Sequence, residues 1–388
     1  MFDFPFLWSE VDLNAIASNL KEIRRITKPE TRLMVVVKAN AYGHGILEVA
    51  GEVIKNGANA LGVARVQEGI VLRKAGFTIP ILIFGFTPFS FAPDLIEFDL
   101  IQTVFSYNMA LFFSRFATKQ GKKITVHIKV DTGMGRLGLL AGSPSAYFHA
   151  KERSENVIHE IESIAGLSGL ELEGIYTHFA TADSPDKSYT KKQFEIFLDF
   201  LNRLRSKGIE IPVKHAANSA ALMEMPETHL DMVRSGIMVY GLYPSEDVDR
   251  KRLEVKPAMA LKARVIHLKK VPSGFKVSYG STYETKKPTT IATVPIGYAD
   301  GLNRLLSSRG NMLVGGRLAP IAGRVCMDNS MLDVGSVSGV ELGDEVVIFG
   351  KQGDLSISVD EIASSINTIN YEVLTSIPAG LPRRFVRN

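Results

Sequence analysis

The sequence predicts an α/β protein in which a (β/α)8 TIM barrel is followed by a mostly antiparallel β-domain. From residue 12 to about residue 240, short apolar runs rich in β-branched residues alternate with longer segments of helical periodicity, the pattern of repeated βα units. Eight candidate strands in this stretch suit a closed barrel of about 250 residues better than an open doubly wound sheet. Beyond it, helical periodicity gives way to successive strand-like runs.

The elements of the barrel are predicted from buried, β-branched runs and from the segments between them. The eight strands are 33–37, 60–64, 81–84, 101–105, 124–130, 172–177, 213–216 and 232–234. The segment 13–26 carries apolar residues at the one-face spacing of an amphipathic helix, and 191–206 repeats the pattern. The sequence therefore predicts helices around a parallel barrel.

The second half is predicted to be a β-domain with a single helix at 359–366. Its strands are 260–271, 290–295, 312–322, 331–334 and 345–349. Turn signals such as Gly315-Gly316 and Gly343-Asp344 separate these runs. We expect the barrel to span 1–241 and the β-domain 242–388, with about the first ten residues as candidates for joining the β-domain.

Composition excludes several classes of function. The 45 Lys and Arg against 41 Asp and Glu give a net charge of only +4, so nucleic acid is not an expected partner. A single cysteine, Cys326, excludes an intrachain disulfide and fits a reducing, cytoplasmic location. The N-terminus lacks the features of a secretory signal, and the apolar stretch 79–93 is cut by prolines, so no membrane span is expected. The eight histidines lack HExxH-like spacing, which predicts no metal site.

Polar residues at the C-terminal ends of the strands are the candidates for chemistry, since barrel active sites lie there. The first strand ends in VVVKANAYGHG, which places Lys38 at its mouth and Tyr42 just beyond. Lys38 is either a solvated strand end or a Schiff-base lysine made nucleophilic by a desolvated site. The fifth strand leads through two glycines to Arg136, which is either a surface residue on a tight turn or a planar fork for a carboxylate or phosphate.

The last three strands are each followed by further polar groups. His178 follows the sixth strand, Asn218 and Ser219 follow the seventh, and Arg234 ends the eighth, before Gly236 and Ile237. Each signal is weak alone, but the amides and hydroxyls after the last two strands of a barrel commonly bind phosphate.

Together these segments resemble the alanine racemase family, the fold-type III enzymes that depend on pyridoxal 5'-phosphate. The resemblance covers nearly the whole chain in family order. Its motifs are WSEVDLNAIASNL, VVVKANAYGHG, KVDTGMGRLG, THFATAD, AANSAA, VRSGI, VSYG, PIGYADG, GRVCMD and INYEVLTSI.

The resemblance implies a role for each matching position. Lys38 would bind the cofactor covalently and act as one of two catalytic bases, with Tyr279 of the partner subunit as the other, so a homodimer with shared active sites is implied. The groups implied to hold the cofactor phosphate are Tyr42, Ser219, Gly236, Ile237 and Tyr371, with Asn218 beside them.

Other positions would serve the pyridine ring and the substrate. Arg234 would hydrogen-bond the pyridine nitrogen, and His178 would lie against the ring and link Tyr279 to Arg234. Arg136 and the backbone of Met327 would receive the substrate carboxylate. In several family members the lysine corresponding to Lys129 is carbamylated and steadies the neighbouring arginine.

The implied activity is interconversion of L- and D-alanine, which supplies D-alanine for peptidoglycan. A broad-specificity racemase is the main alternative, although Tyr371 and Met327 favour a small pocket. A fold-type III decarboxylase would need a catalytic cysteine, and Cys326 stands instead in the racemase context GRVCMD. A non-catalytic pyridoxal phosphate carrier of the single-barrel type would lack both the β-domain and VSYG.

Overall fold

The computed structural model describes residues 5–144 and 150–388, which form two compact units. The helices are α1 (Leu13–Arg25), the left-handed turn α2 (Lys38–Tyr42), α3 (Ile46–Lys55), α4 (Val66–Lys74), α5 (Ala92–Glu97), α6 (Tyr107–Lys119), α7 (Ala150–Ala165), α8 (Ser188–Ser206), α9 (Ser219–Glu224), α10 (Val359–Ser365) and α11 (Asn370–Thr375). The strands are β1 (Leu7–Asp12), β2 (Arg32–Val36), β3 (Ala60–Val63), β4 (Ile81–Ile83), β5 (Ile101–Val104), β6 (Ile124–Asp131), β7 (Leu139–Leu140), β8 (Leu170–Tyr176), β9 (Val213–His215), β10 (Met232–Ser235), β11 (Met259–Arg264), β12 (His267–Val271), β13 (Lys276–Val277), β14 (Tyr283–Glu284), β15 (Thr289–Val294), β16 (Asn311–Val314), β17 (Arg317–Pro320), β18 (Ser330–Asp333), β19 (Glu345–Gln352), β20 (Leu355–Ile357) and β21 (Arg383–Val386).

The first unit, which comprises Ile16–Ala41 and Ile46–Lys256, is a nearly closed parallel barrel. Its eight strands are hydrogen-bonded in the order β10-β2-β3-β4-β5-β6-β8-β9. Two backbone hydrogen bonds nearly close the barrel between β9 and β10. One runs from Asp231 N to Lys214 O and the other from Arg234 N to Ala217 O, and each is 3.1 Å long. The predicted (β/α)8 barrel and all eight of its predicted strands are confirmed.

The barrel core arises from the apolar runs that predicted it. All four residues of β3 are buried, as expected for a parallel strand covered on both faces. In α1, Ile16, Leu20 and Ile23 are fully buried, as the one-face periodicity predicts. The second predicted helix begins three residues before its predicted start, at Ser188.

A β-bulge interrupts the pairing of β6 with β8. Val126 pairs with Leu172, whereas His127 pairs with Gly174, so Glu173 is the extra residue on β8. A Cβ atom on Gly174 would lie 2.5 Å from the His127 ring. Only glycine at this position therefore leaves room for the imidazole.

The second unit contains residues 5–15, Tyr42–Gly45 and Pro257–Asn388. Its main sheet has the order β17-β16-β19-β11-β1-β21, with β20 paired to β19, beside smaller sheets β12-β15-β18 and β13-β14. The pairs are antiparallel except β1 with β21. The predicted mostly antiparallel β-domain is confirmed.

Three details of this unit differ from the prediction. The segment 260–271 was predicted to be one strand, but it forms β11 and β12 in different sheets. The segment 312–322 is a hairpin, β16 and β17, around Gly315 and Gly316, which both have positive φ. The helix α11 was not predicted because its six residues are too few to show apolar periodicity. Among the described residues, none of the helices has the length and hydropathy that crossing a membrane requires.

Candidate active site

Lys38 begins a left-handed turn at the mouth of the barrel. The four residues after it, Ala39, Asn40, Ala41 and Tyr42, have φ between 51° and 54°. Each non-glycine residue in this conformation costs roughly 1–2 kcal/mol, so neighbouring groups must hold the turn. One such group is Asn40 itself, whose Oδ1 accepts a 3.0 Å hydrogen bond from Ile46 N.

The carboxylate of Glu68 supplies the other restraint. Its Oε1 accepts a 2.6 Å hydrogen bond from the backbone N–H of Ala39, directly after Lys38. Its Oε2 accepts from Ala64 N and Arg65 N, which anchors the carboxylate at the N-terminus of α4. Glu68 thus ties the residue next to the lysine to the following βα unit.

The surroundings of Lys38 shift its amine toward the neutral form. Burial lowers the pKa of Lys38, and the positive charge of Arg136 lowers it further, whereas Glu68 opposes the shift. A neutral lysine amine is a nucleophile and a base, unlike the ammonium ion. The desolvated interpretation of Lys38 therefore agrees with the structure better than a solvated strand end.

The loop that carries Arg136 is organised by Asp131 at the end of β6. The Asp131 carboxylate accepts hydrogen bonds from the backbone N–H groups of Gly133, Met134 and Gly135 at 2.9 to 3.2 Å. Arg136 follows this turn and is exposed. Its guanidinium is therefore presented to solvent from a fixed backbone.

Lys129 lies buried on β6 among cations. Burial, followed by the charges of Arg136 and Arg234, lowers the pKa of Lys129 to about 8, and Asp131 only partly offsets this. Its Nζ lies 5.5 Å from the centre of the Tyr176 ring. About a tenth of Lys129 is consequently unprotonated at pH 7, far more than of an ordinary lysine.

Arg234 is buried at the end of β10 and is held by several acceptors. Its Nη1 lies 2.8 Å from His215 Nδ1, and its Nη2 donates to Thr177 O at 2.9 Å and to Ala216 O at 2.8 Å. Burial lowers the pKa of Arg234 to about 10, which leaves it charged at neutral pH. The remaining N–H groups, on Nε and Nη1, have no acceptor among the described residues and are available to a bound molecule.

His178 lies beside Arg234 and is neutral. Its Nδ1 is 3.3 Å from Nη2 of Arg234. Burial and the charges of Arg234 and Lys129 hold the pKa of His178 well below its usual value. Because arginine only donates, Nδ1 must be the accepting nitrogen, so the proton of His178 resides on Nε2.

The segments after β9 and β10 are joined by a hydrogen bond. Asn218 caps α9 by accepting from Ala221 N at 3.0 Å. Ser219 Oγ accepts a 3.0 Å hydrogen bond from Gly236 N, which lies just before the 3-10 helix Ile237–Tyr240. Hydroxyl and backbone amide groups therefore lie together here, and this donor chemistry suits a phosphate.

The other predicted site residues lie in the second unit. Tyr42 is buried, which raises its pKa, and its ring centre is 6.0 Å from that of Tyr371. Tyr279 is 70% exposed and Met327 is 52% exposed. The thiol of Cys326 lies 3.6 Å from both Ser278 Oγ and Arg324 O, consistent with a structural role.

Tyr176 and His215, which contact Arg234, were not predicted as site residues from the sequence, nor was Glu68, which binds the backbone next to Lys38. Tyr176 stacks on His215 with ring centres 4.6 Å apart, and its ring centre lies 5.3 Å from Cζ of Arg234. Tyr176 and His215 could have been identified from the sequence, because they end neighbouring parallel strands and the ends of such strands lie close together in a barrel. Nothing in the sequence indicated a role for Glu68 beyond its position in the first turn of a helix.

Two family models together match most of the chain. The model described as "Alanine racemase, N-terminal domain" matches residues 11–244, and "Alanine racemase, C-terminal domain" matches residues 258–385. The alanine racemase of Desulfosudis oleivorans is 52% identical over 99% of this chain and 97% of its own length. That of Methanococcus maripaludis is 49% identical over 98% of each. The structure of an alanine racemase from Clostridium difficile, 39% identical, superimposes with a TM-score of 0.92 over 100% of this chain and 97% of that one.

Proposed function

Since the chain belongs to the alanine racemase family and interconverts L- and D-alanine, we propose that it does so with pyridoxal 5'-phosphate and with two bases, Lys38 and Tyr279. The observation that carries this proposal is the environment of Lys38, whose pKa is lowered by burial and by Arg136. A neutral lysine amine can both hold an aldehyde cofactor and accept a proton.

The donor groups of the barrel fit this cofactor. When bound, pyridoxal phosphate supplies an electron sink that acidifies the α-proton of an amino acid. Arg234 would donate one of its two unused N–H groups to the pyridine nitrogen. Because it is charged and cannot readily give up its proton, it would leave that nitrogen unprotonated.

The phosphate would be held by the hydroxyl and amide groups already described. Ser219, Gly236 and Ile237 would bind it from the barrel, and Asn218 would maintain the turn that presents Ser219. We assign the phenols of Tyr42 and Tyr371 to the same phosphate. Hydroxyl groups and backbone amides are the donors that commonly bind phosphate after the last strands of a barrel.

Racemisation requires proton transfer on both faces of the α-carbon. Lys38 would serve one face, and Tyr279 of the partner subunit would serve the other, in a homodimer with shared sites. The 70% exposure of Tyr279 in a single chain supports this, because the phenol is available to another subunit. His178, with its proton on Nε2, would link Tyr279 to Arg234.

The substrate carboxylate needs a cation and an amide. Arg136 would supply a planar guanidinium, and the backbone N–H of Met327 a second donor. We also propose that the protein works in the cytoplasm and that its D-alanine serves peptidoglycan synthesis. Its lone cysteine supports a reducing compartment.

Subunit complementation tests the shared site. The variants Lys38→Ala and Tyr279→Phe should each be inactive, whereas their mixture should regain about a quarter of the wild-type activity, because half of randomly reassociated dimers contain one intact site of two. Native mass spectrometry of differently tagged chains verifies the exchange. Each variant mixed with a tagged copy of itself is the control. No recovery in verified mixed dimers would place both bases in the same chain or remove one of them.

A further inference from the structure

A line of buried polar side chains runs from Arg234 into the barrel interior. Nη1 of Arg234 lies 2.8 Å from His215 Nδ1, and His215 Nε2 lies 2.9 Å from His127 Nδ1. His127 Nε2 in turn lies 3.1 Å from Glu173 Oε2. Glu173 Oε1 lies 3.6 Å from Nη1 of Arg32, at the start of β2.

The two ends of this line fix the direction of every hydrogen bond in it. Arginine can only donate and an ionised carboxylate can only accept. His215 must therefore accept at Nδ1 and donate from Nε2, and His127 must do the same. Both imidazoles are then neutral, and burial lowers the pKa of each, as this arrangement requires.

The fold contains three features that create the line. The β-bulge on β8 makes Glu173 the extra residue opposite β6, where its carboxylate reaches His127. Gly174 leaves the space that the His127 ring fills. The Tyr176 ring stacks on His215 at an angle of 12°, which holds the imidazole plane.

The same side chains do not form a metal site. Each imidazole nitrogen is directed at the next member of the line rather than at a common centre. Across residues 5–144 and 150–388, no cluster of three or more His, Cys, Asp and Glu is placed to hold a metal ion. The line is therefore a hydrogen-bond relay.

We propose that Glu173, His127 and His215 are positioning residues that fix the orientation of the Arg234 guanidinium by imposing one tautomer on both histidines. This inference rests on the proposed role of Arg234 at the cofactor nitrogen. The acceptor-only carboxylate is the essential element. If its polarity were lost, the line could reverse, and His215 would then direct an Nδ1–H at Arg234. Two donors would face each other, and the guanidinium would turn away from its site.

Glu173→Gln is the variant that removes this polarity while keeping the side-chain shape. A carboxamide can accept from His127 or donate to it, so both directions become available. Glu171→Gln is the matched control, because Glu171 lies on the same strand with an exposed side chain. Glu173→Asp keeps an acceptor-only end and should behave more like the wild type than Glu173→Gln does.

The first readout is solid-state ¹⁵N NMR of the complete protein labelled in its histidine rings, which reports the tautomers without reference to activity. Signals of His127 and His215 are assigned by their loss in His127→Gln and His215→Gln. We expect neutral Nε2–H rings at both positions in the wild type and in Glu171→Gln, and a mixture of tautomers in Glu173→Gln. A charged ring or an Nδ1–H ring at either position in the wild type would overturn the relay, whatever the variants do.

The second readout is kinetic. We expect Glu173→Gln to lower kcat/KM for alanine by roughly 10- to 100-fold, the scale of one hydrogen bond to a charged group, with cofactor content unchanged. A lower Tm with unchanged kcat/KM would mean a purely structural role and would refute the proposal. Failure of the wild type to racemise alanine with pyridoxal phosphate would instead refute the proposed function, since the NMR result does not depend on it.

Discussion

At the scale of single residues, Tyr279 offers the sharpest test of the chemistry. Tyr279→Phe removes only the hydroxyl that would carry the proton on one face of the α-carbon. We expect exchange of the α-proton of L-alanine with solvent deuterium to fall by ~10²- to 10⁴-fold, the range for a missing general base. Exchange from D-alanine should continue because Lys38 remains. ¹H NMR in D₂O measures each enantiomer separately.

The matched control for this prediction is Tyr107→Phe, a tyrosine of α6 in the other unit, which should leave both exchange rates unchanged. A packing role for Tyr279 would lower both rates by a similar, modest factor. Such symmetry, with fold and cofactor content intact, would remove the phenol from the mechanism.

Lys129 should react with carbon dioxide in a pH-dependent manner. Its neutral amine would add to carbon dioxide and release a proton, which forms a carbamate beside two arginines. Because its pKa is about 8, the reactive form decreases as the pH falls below that value. With ¹³C-bicarbonate we expect a carbamate resonance at pH 8.5 that weakens at pH 6.5 and is absent from Lys129→Ala. Lys123→Ala, at an exposed position, should retain it; a signal unaffected by Lys129→Ala would contradict the assignment.

The sequence could identify a functional residue only where its position relative to a predicted strand indicated a role. Lys38, Arg136 and Arg234 are recognisable because they end or closely follow predicted barrel strands. His127 and Glu173 are not recognisable, because they lie 46 residues apart and meet only through the bulge on β8. A register shift of one residue leaves no signature in a strand pattern that is apolar on both faces.

At the scale of elements, the left-handed turn after Lys38 depends on Glu68. We expect Glu68→Gln to lower the free energy of unfolding by roughly 1–3 kcal/mol, because an amide cannot replace a carboxylate that accepts from three backbone N–H groups. Removing the charge should also lower the pKa of Lys38 further, since Glu68 raises it.

Urea unfolding at constant protein concentration measures the first effect. The pH dependence of reductive methylation of Lys38 in cofactor-free protein measures the second. Gln67→Ala, at the neighbouring exposed position, is the control for both. If the methylation profile of Lys38 is the same in Glu68→Gln and wild type, then Glu68 acts on the backbone alone.

Elements were predictable where the local pattern and the tertiary structure agree. The eight barrel strands satisfy this condition because buried parallel strands are continuous apolar runs. The segment 260–271 does not, because its apolar character continues while the chain passes from one sheet to another at Val265 and Ile266. The turn at Lys38 was also hidden, since Ala and Tyr rarely adopt positive φ and glycine begins only at Gly43.

At the scale of the whole molecule, the two buried histidines of the relay should make the fold sensitive to acid. In the folded state the pKa values of His127 and His215 lie below their ordinary value of 6.5. Below that pH the unfolded chain binds more protons, so the free energy of unfolding falls as the pH decreases. Each histidine contributes a slope of at most about 1.4 kcal/mol per pH unit.

Urea unfolding between pH 7 and pH 5 should therefore show a smaller slope in His127→Gln than in the wild type. His159→Gln changes an exposed histidine of α7 and is the control. Equal slopes in His127→Gln and wild type would show that the buried imidazole is not held neutral. The whole-molecule architecture itself was predictable, because strand number and the change from helical to strand periodicity depend only on local patterns.

The turn that follows Lys38 has the handedness that D-residues prefer. Four successive residues near φ +50° trace about one turn of left-handed helix, the mirror image of the conformation that L-residues prefer. D-residues would occupy it without strain. A semisynthetic chain with D-alanine at positions 39 and 41 should therefore fold at least as stably as the natural one. A protein that produces D-alanine thus carries its lysine on a segment for which D-alanine would be the better building block.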